Sequence, residues 1–310
     1  MFKETKVMFI YTESSLHCGS GSSLGVVDLP IQREKYTDYP VCQASGVKGV
    51  VREWFENNKR GNGDSNKIKY TFGPDFNRGD SDAFAGAATF TDARLLLFPV
   101  RSLNGVFAYT TSRFALSRLK RDLQMAKVPG VNWTIPAESG DKIVGNSDCK
   151  IKDSNNKVVL EEYTFDFRSA DSVKAIAEWI ANNAIPQGDE YKFWRDKVKT
   201  DLLILPENAF RDFVKLSTEV QARIQIDNKT KTVKSHALFY EEALPSDSLL
   251  YSVVMAHDPS CDKDMRPEDL KDSNAVMNFI IGIDGNRLQF GGDATIGKGI
   301  VNVNFLKEGA

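Results

Sequence analysis

Strand-like and helix-like segments follow one another along this chain without the regular βαβ alternation that builds a parallel sheet. Apolar or alternating residues predict strands at 6–11, 87–100, 105–112, 157–167, 219–226, 232–240, 249–257 and 300–305. Helical spacing of apolar residues predicts helices at 45–57, 112–126, 172–183, 207–216 and 267–281. This mixture favours an α+β fold with an antiparallel sheet and loop-rich insertions.

Turn and capping residues add detail to this outline. Asn104-Gly105 predicts a hairpin between two neighbouring strands, and the polar residues 227–230 predict a second one. Ser45 is the predicted N-cap of the first helix. Residues 58–82 and 129–156 are rich in polar residues and glycine, and we interpret them as insertions.

Composition excludes some classes of protein. A chain of 310 residues with 41% hydrophobic residues can bury a sizeable core. The formal net charge of −2 carries no global nucleic-acid signature, so any RNA contact depends on local basic patches. No apolar stretch is long enough to span a bilayer, and no signal-peptide core is evident.

The cysteines favour a cytoplasmic protein with reduced thiols. Cys18, Cys42, Cys149 and Cys261 stand far apart and form no CxxC pair. Neither a structural zinc site nor a disulfide framework is therefore expected.

The glycine-rich segment near the end of the chain resembles a P-loop only superficially. Gly292 and Gly297-Lys298 have the P-loop spacing, but Gly299 replaces the hydroxyl residue that would bind magnesium. The next residues are strand-like, so no helix N-terminus would face a phosphate. We therefore expect a tight loop that packs on the sheet or approaches an RNA backbone, and no ATPase.

The loop after the first strand carries the most specific pattern. It contains GVVDLPIQRE at 25–34, followed by P-x-x-x-x-SGVKGVVR at 40–52. Asp28 is a carboxylate in a glycine-flanked loop, and taken alone it is best interpreted as a turn-capping residue. Lys48 and Arg52 lie four residues apart on one helix face beside Gly46 and Gly49, which suits contact with phosphates.

These motifs resemble the repair-associated mysterious protein (RAMP) superfamily of CRISPR effector subunits. Within it, they are similar to the backbone subunit of type III-B (Cmr) effectors. The runs LLLFPVRS at 95–102 and LFYEEALP at 238–245 agree, as does the closing glycine loop with Gly291-Gly292 and Gly297-Lys298-Gly299. The resemblance spans nearly the whole chain.

The resemblance implies a single domain over residues 1–310. Its palm is ferredoxin-like (RRM-like) and is formed by 1–57, 87–127 and 249–310. Insertions lie at about 58–86 and 128–156, and a β-hairpin thumb lies at about 217–245. Copies of the chain would stack along CRISPR guide RNA with other Cmr subunits, and complementary target RNA would be cut at regular intervals through the ribose 2′-hydroxyl.

The resemblance also implies roles for individual residues. Asp28 matches the catalytic aspartate and would hold a divalent cation, Mg²⁺ or Mn²⁺, or orient the 2′-hydroxyl. His17 and Glu241 are further catalytic candidates. A lone histidine beside a strand end is more often a structural or RNA-contacting residue, and a salt bridge inside the hairpin is an equally good interpretation of Glu241. The predicted RNA-binding residues are Gln32, Arg33, Ser45, Lys48, Arg52, Gly297, Lys298 and Gly299.

Two other functions stay open at this point. The chain could be a purely architectural RNA-binding subunit, with cleavage performed elsewhere. It could also be a guide-processing ribonuclease that cuts repeat RNA as a monomer without metal. The sequence contains no clear histidine–tyrosine or histidine–lysine cluster, which makes the guide-processing function the least favoured.

Overall fold

A mostly antiparallel sheet forms the centre of the molecule, seen here in a computed structural model that describes residues 3–58, 62–75, 84–260, 266–267 and 269–307. Twelve of the described strands belong to it. They are β1 (Glu4–Thr12), β2 (Val41–Cys42), β3 (Ala88–Phe90), β4 (Ala93–Arg101), β5 (Phe107–Ser112), β6 (Ile143–Gly145), β7 (Lys157–Leu160), β8 (Tyr163–Ser169), β9 (Leu202–Leu205), β12 (Leu249–Ala256), β13 (Arg287–Gln289) and β14 (Ile300–Phe305). The predicted antiparallel sheet is confirmed, with parallel pairing only in β5–β9 and β6–β8 among the described strand pairs.

Both faces of the sheet are buried, which explains why β1 is a continuous apolar run. Met8 and Ile10 point into one core cluster, and Phe9 and Tyr11 point into the other. The helices are α1 (Ala44–Asn58), α2 (Asn62–Phe72), α3 (Arg113–Met125), α4 (Asp171–Asn183), α5 (Lys192–Asp201), α6 (Glu207–Leu216) and α7 (Ser273–Ile281). Residues of α1, α2, α6 and α7 belong to the first cluster, and residues of α3, α4 and α5 belong to the second.

A separate two-stranded hairpin consists of β10 (Glu219–Ile226) and β11 (Val233–Ala243). It was predicted from the polar turn at 227–230. The side chains of Val220, Ile224 and Leu238 remain about half exposed on it. The end of β11 turns back into the body of the molecule, where Ala243 and Leu244 are buried.

Several sequence-based boundaries were wrong. Ser45 does not cap the first helix, because α1 begins at Ala44, and the Ala44 amide is satisfied by Asp92 Oδ1 at 2.8 Å. The insertion at 58–82 contains helix α2, with residues 59–61 and 76–82 outside the described residues. The predicted strand 157–167 is the hairpin β7–β8.

Other differences have a local cause. Helix α7 begins at Ser273 and not near residue 267, because Asp272 caps it by accepting the Ala275 amide at 2.9 Å. Helix α5 and the buried strand β9 were missed, since α5 is too polar to show a clear apolar period. The predicted turn at Asn104-Gly105 is confirmed between β4 and β5, where Gly105 has a φ of 71°.

The prediction of reduced thiols was wrong for one pair of cysteines. Cys18 and Cys42 form a disulfide that closes the first loop across a separation of 24 residues. Cys149 is free and buried, and Cys261 lies outside the described residues. Wide spacing in sequence hid this pair, because only the folded first loop brings its two ends together.

The disulfide should contribute to stability by restricting the unfolded chain. We expect the Cys18→Ser, Cys42→Ser double variant to lose about 3.5 kcal/mol of unfolding free energy, the loop-entropy value for a closed loop of this size. Denaturant unfolding of the purified chain measures this. Wild-type protein treated with reductant should match the variant. Equal stability in all three samples would contradict a disulfide in the native protein.

Candidate nucleic-acid interface and cleavage site

The first loop pairs with the base of the hairpin. The Leu29 amide donates to the Tyr240 carbonyl and the Glu242 amide donates to the Leu29 carbonyl, both at 3.0 Å. Further along, Leu16 and Leu244 exchange two backbone hydrogen bonds of 2.8 Å. The loop that carries the predicted catalytic aspartate is therefore an added edge on β11.

Asp28 lies at the outer end of this pairing and is partly exposed. Its Oδ2 accepts the Tyr240 amide at 2.7 Å, and its carbonyl accepts the Ser23 amide at 2.8 Å. Within the described residues, its other carboxylate oxygen has no hydrogen bond or ion pair. One oxygen is thus fixed by the hairpin, while the other is available to a ligand.

Glu241 and Glu242 are buried, with exposed fractions of 2% and 5%. The Glu242 carboxylate accepts bonds from Arg33, from the Thr218 hydroxyl at 2.7 Å and from the Ile31 amide at 3.0 Å. Ion pairing is therefore the environment of both glutamates. Glu241, a predicted catalytic residue, does not face solvent.

Four side chains surround the Glu241 carboxylate. Arg223 Nη1 lies 2.6 Å and Lys298 Nζ 3.4 Å from its Oε2, while His17 Nδ1 lies 3.8 Å from its Oε1. Asp293 lies 3.7 Å from Arg223. A hydrogen bond with Glu241 lowers the pKa of Asp293, and the positive charges of Arg223 and Lys298 lower it further. We call these five residues the Glu241 cluster.

His17 is held by the backbone as well as by this cluster. Its Nδ1 lies 2.6 Å from the Glu242 carbonyl, so the nitrogen at that position carries the proton. The rest of the ring packs against glycines: a Cβ at Gly19 would lie 2.6 Å from Nε2. His17 and Lys298 thus meet at one carboxylate, a proximity that the sequence did not reveal, but both side chains are buried.

A cleft of about 260 Å³ lies next to the loop. Its wall is formed by Cys18, Gly19, Gln32, Cys42, Gln43, Gly46, Val50, Phe290, Gly291 and Gly292. The first loop, the start of α1 and the closing glycine loop therefore share one concave surface. The sequence pointed to each of these three segments. That they lie side by side around one cleft is seen only in the tertiary structure.

The predicted RNA-binding residues divide into two groups around this cleft. Gln32 lines it and is fixed by bonds to the Gly19 carbonyl and the Gln43 amide. Ser45, at the start of α1, and Gly297, in the closing glycine loop, are both exposed. Lys48 makes no hydrogen bond or ion pair with the described residues. Burial, and then the neighbouring Arg52, lower the pKa of its ammonium group.

The other predicted RNA-binding residues are engaged inside the protein. Arg33 contacts Glu242 and donates to the carbonyl of Val214 at 2.9 Å. Arg52 pairs with Glu56 at 2.8 Å and donates to the Gly73 carbonyl.

The remaining two predicted RNA-binding residues, Lys298 and Gly299, lie in the closing glycine loop. Gly299 has a φ of 74°, and a Cβ there would lie 1.9 Å from the Phe290 carbonyl oxygen, so its role is in packing. Lys298 belongs to the Glu241 cluster.

A larger cleft, of about 1240 Å³, lies elsewhere. It is lined by residues 136–142 and by parts of β7, β8 and α6. None of the predicted catalytic or RNA-binding residues lines it. Over the described residues, no group of three or more His, Cys, Asp or Glu could hold a metal ion, and no helix is long and apolar enough to cross a membrane.

Sequence reasoning missed part of the site. Arg223 stands in an ordinary alternating strand, and no sequence signal distinguishes it. Asp293 lies in the closing glycine loop, five residues before Lys298, so a charged residue among the glycines was an available signal. The hydrogen bond from the Tyr240 amide to Asp28 involves backbone, which sequence patterns do not report.

Comparisons with known proteins agree with this fold. The model of the RAMP superfamily matches residues 9–302. The chain is 40% identical over 302 residues to the CRISPR system Cmr endoribonuclease Cmr4 of Pyrococcus furiosus, covering 96% of this chain and 94% of that protein. It is 25% identical to the CRISPR system CMR subunit Cmr4 of Saccharolobus solfataricus, covering 98% and 97%.

Solved structures show the same relationship. The crystal structure of oligomeric Cmr4 from Pyrococcus furiosus superposes with a TM-score of 0.73 at 32% identity, covering 98% of each chain. A chain of the type III-B Cmr-beta complex bound to cognate target RNA has a TM-score of 0.73 at 23% identity and shares the fold. The chain belongs to the RAMP superfamily and, within it, to the Cmr4 family of CRISPR Cmr systems.

Two glycines of α1 offer a matched test of the cleft. Neither has a neighbouring atom within 4 Å of an added Cβ, but only Gly46 lines the cleft. Methionine at position 46 or 49 should raise the unfolding free energy by about 0.5–1 kcal/mol, because glycine weakens a helix. Only Gly46→Met should weaken guide-RNA binding, measured by filter binding of the assembled protein. Equal binding by both variants would remove the cleft from the RNA interface.

Proposed function

We propose that this chain is a backbone subunit of a type III-B CRISPR effector that binds guide RNA and cleaves complementary target RNA at regular intervals. The supporting observation is the Asp28 carboxylate, which is held at one oxygen by the hairpin base and has no partner among the described residues at the other. The name of its Pyrococcus relative, an endoribonuclease of the Cmr system, agrees with this function. Copies of this chain, other Cmr subunits, guide RNA and target RNA are its proposed partners.

RNA supplies the nucleophile for the proposed reaction. The 2′-oxygen attacks the adjacent phosphorus, the bond to the 5′-oxygen breaks, and the products carry a 2′,3′-cyclic phosphate and a 5′-hydroxyl. Asp28 would accept the proton of the 2′-hydroxyl or orient that group, and the protein must also splay the RNA backbone into line. The hydrogen bond from the Tyr240 amide keeps Asp28 oriented for this task.

A divalent cation fits this site only loosely. Asp28 offers one free carboxylate oxygen, and the described residues contain no cluster of further ligands. Magnesium retains several waters in many protein sites, so a mostly hydrated Mg²⁺ or Mn²⁺ at Asp28 is compatible with the donors present. The ion would stabilise charge on the phosphate when bound.

Guide RNA is proposed to follow the cleft between the first loop, α1 and the closing glycine loop. The proposed palm is ferredoxin-like, and the hairpin β10–β11 is the proposed thumb. Lys48 is the best-placed phosphate contact, since its ammonium has no partner among the described residues. A cytoplasmic location is part of the proposal, although a Cys18–Cys42 disulfide is uncommon there outside hyperthermophiles.

An architectural subunit without catalytic activity is the second candidate. Burial of His17 and Glu241 favours it, because Asp28 is then the one predicted catalytic side chain that is not buried. Asp28 decides between the two functions.

The Asp28→Asn variant should assemble and bind target RNA normally. Its cleavage rate should fall by about 100-fold or more, which is the usual contribution of general acid–base catalysis. Cleavage is measured on labelled target with the complete ribonucleoprotein and divalent ion. Asp196→Asn, at an exposed residue of α5, is the matched control and should cut at the wild-type rate. Unchanged periodic cuts by Asp28→Asn would support the architectural function. Cutting of repeat RNA by the free chain without metal would favour guide processing.

A further inference from the structure

Lys298 lies where a contact with guide RNA is not possible without a rearrangement. Its side chain is 6% exposed, and its Nζ makes no hydrogen bond with the described residues. The carboxylate of Glu241, 3.4 Å away, is its ion-pair partner. A hydrogen bond with Glu241, and then positive charges that include this one, lower the pKa of the neighbouring Asp293. The flanking glycine positions hold the loop in place, since the Gly299 amide donates to the Ser15 carbonyl at 2.8 Å.

Glu241, the ion-pair partner of Lys298, belongs to β11, and β11 also contacts Asp28. Residue 240 precedes it, and the Tyr240 amide is the donor to Asp28 Oδ2. Residue 242 follows it, and the Glu242 amide donates to the Leu29 carbonyl next to Asp28. Any shift of β11 at residue 241 therefore moves both the hydrogen bond to the Asp28 carboxylate and the backbone bond to Leu29.

Three separate segments fix Glu241 in place. Arg223 comes from β10, Lys298 from the closing glycine loop, and His17 from the first loop. Because the charges are desolvated, loss of one partner leaves another uncompensated in the interior, and the strand would have to move to admit water.

We infer that Lys298 is a positioning residue for Asp28 and acts through Glu241. It ties the closing glycine loop to β11 and so sets the position from which the Tyr240 amide holds the Asp28 carboxylate. Glu241 has the same positioning role and is not a group that touches RNA. This inference rests on the proposed cleavage function of Asp28.

The test uses the assembled ribonucleoprotein with guide RNA and saturating target. Lys298→Met removes the charge at similar length. It should slow cleavage about tenfold or more, the scale of loss expected from a misplaced catalytic group, while target affinity stays within about twofold. Glu241→Gln should have the same effect. The Lys298→Met, Glu241→Gln double variant should regain part of the rate, because neither charge is left unpaired.

Lys197 provides a matched control. It is about as buried as Lys298 and pairs with Asp201 at 2.8 Å, but its other contacts are the Gly105 carbonyl and the ring of Phe107. Lys197→Met should lower the melting temperature as Lys298→Met does, yet leave the cleavage rate of the assembled complex unchanged.

Each outcome has one meaning. A wild-type cleavage rate for Lys298→Met, or an equal loss for Lys197→Met, overturns the inference. Weaker guide binding with an unchanged rate after loading makes Lys298 an RNA contact instead. If Lys298→Met does not assemble, Glu241→Gln and the double variant decide by the presence or absence of rescue. Normal cleavage by Asp28→Asn would mean that the proposed function has failed, which is a different result.

Discussion

The backbone pairing between residues 28–29 and 240–242 is the contact on which the candidate site depends. It joins the first loop to the base of a hairpin that has no other strand partner among the described strands. An isolated two-stranded hairpin is marginally stable in water, so its orientation has to be set at its base. Because the same base holds Asp28, hairpin position and carboxylate position are linked.

Buried ion pairs of Glu241 and Glu242 also hold this pairing in place. Glu242 binds Arg33 and the Ile31 amide, which fixes the inner part of the loop, and Glu241 binds Arg223 and Lys298. Buried ion pairs add little net stability compared with apolar packing, but they specify geometry because each partner is costly to leave alone. A defined geometry is what the proposed cleavage loop requires.

The proposed RNA-facing surface follows a different principle. Glycines at 19, 46, 291 and 292 leave part of the cleft wall without side chains. Lys48, on the helix that carries Gly46, makes no hydrogen bond or ion pair with the described residues. Backbone can then approach a polynucleotide closely. With a net charge of −2, affinity must come from many weak contacts repeated along a guide by stacked copies, which raises the effective concentration of each.

The sequence by itself determined the antiparallel α+β fold, the hairpin, the helix 207–216 and the family, because apolar period, turn residues and a long motif around Asp28 are local properties. It also pointed to the three segments that line the cleft. Only the tertiary structure decided that Cys18 pairs with Cys42, that Arg33, Arg52 and Lys298 are used internally, and that Glu241 is buried. Whether a charged side chain faces RNA or another charge depends on which distant segment folds against it, and sequence spacing carries no record of that.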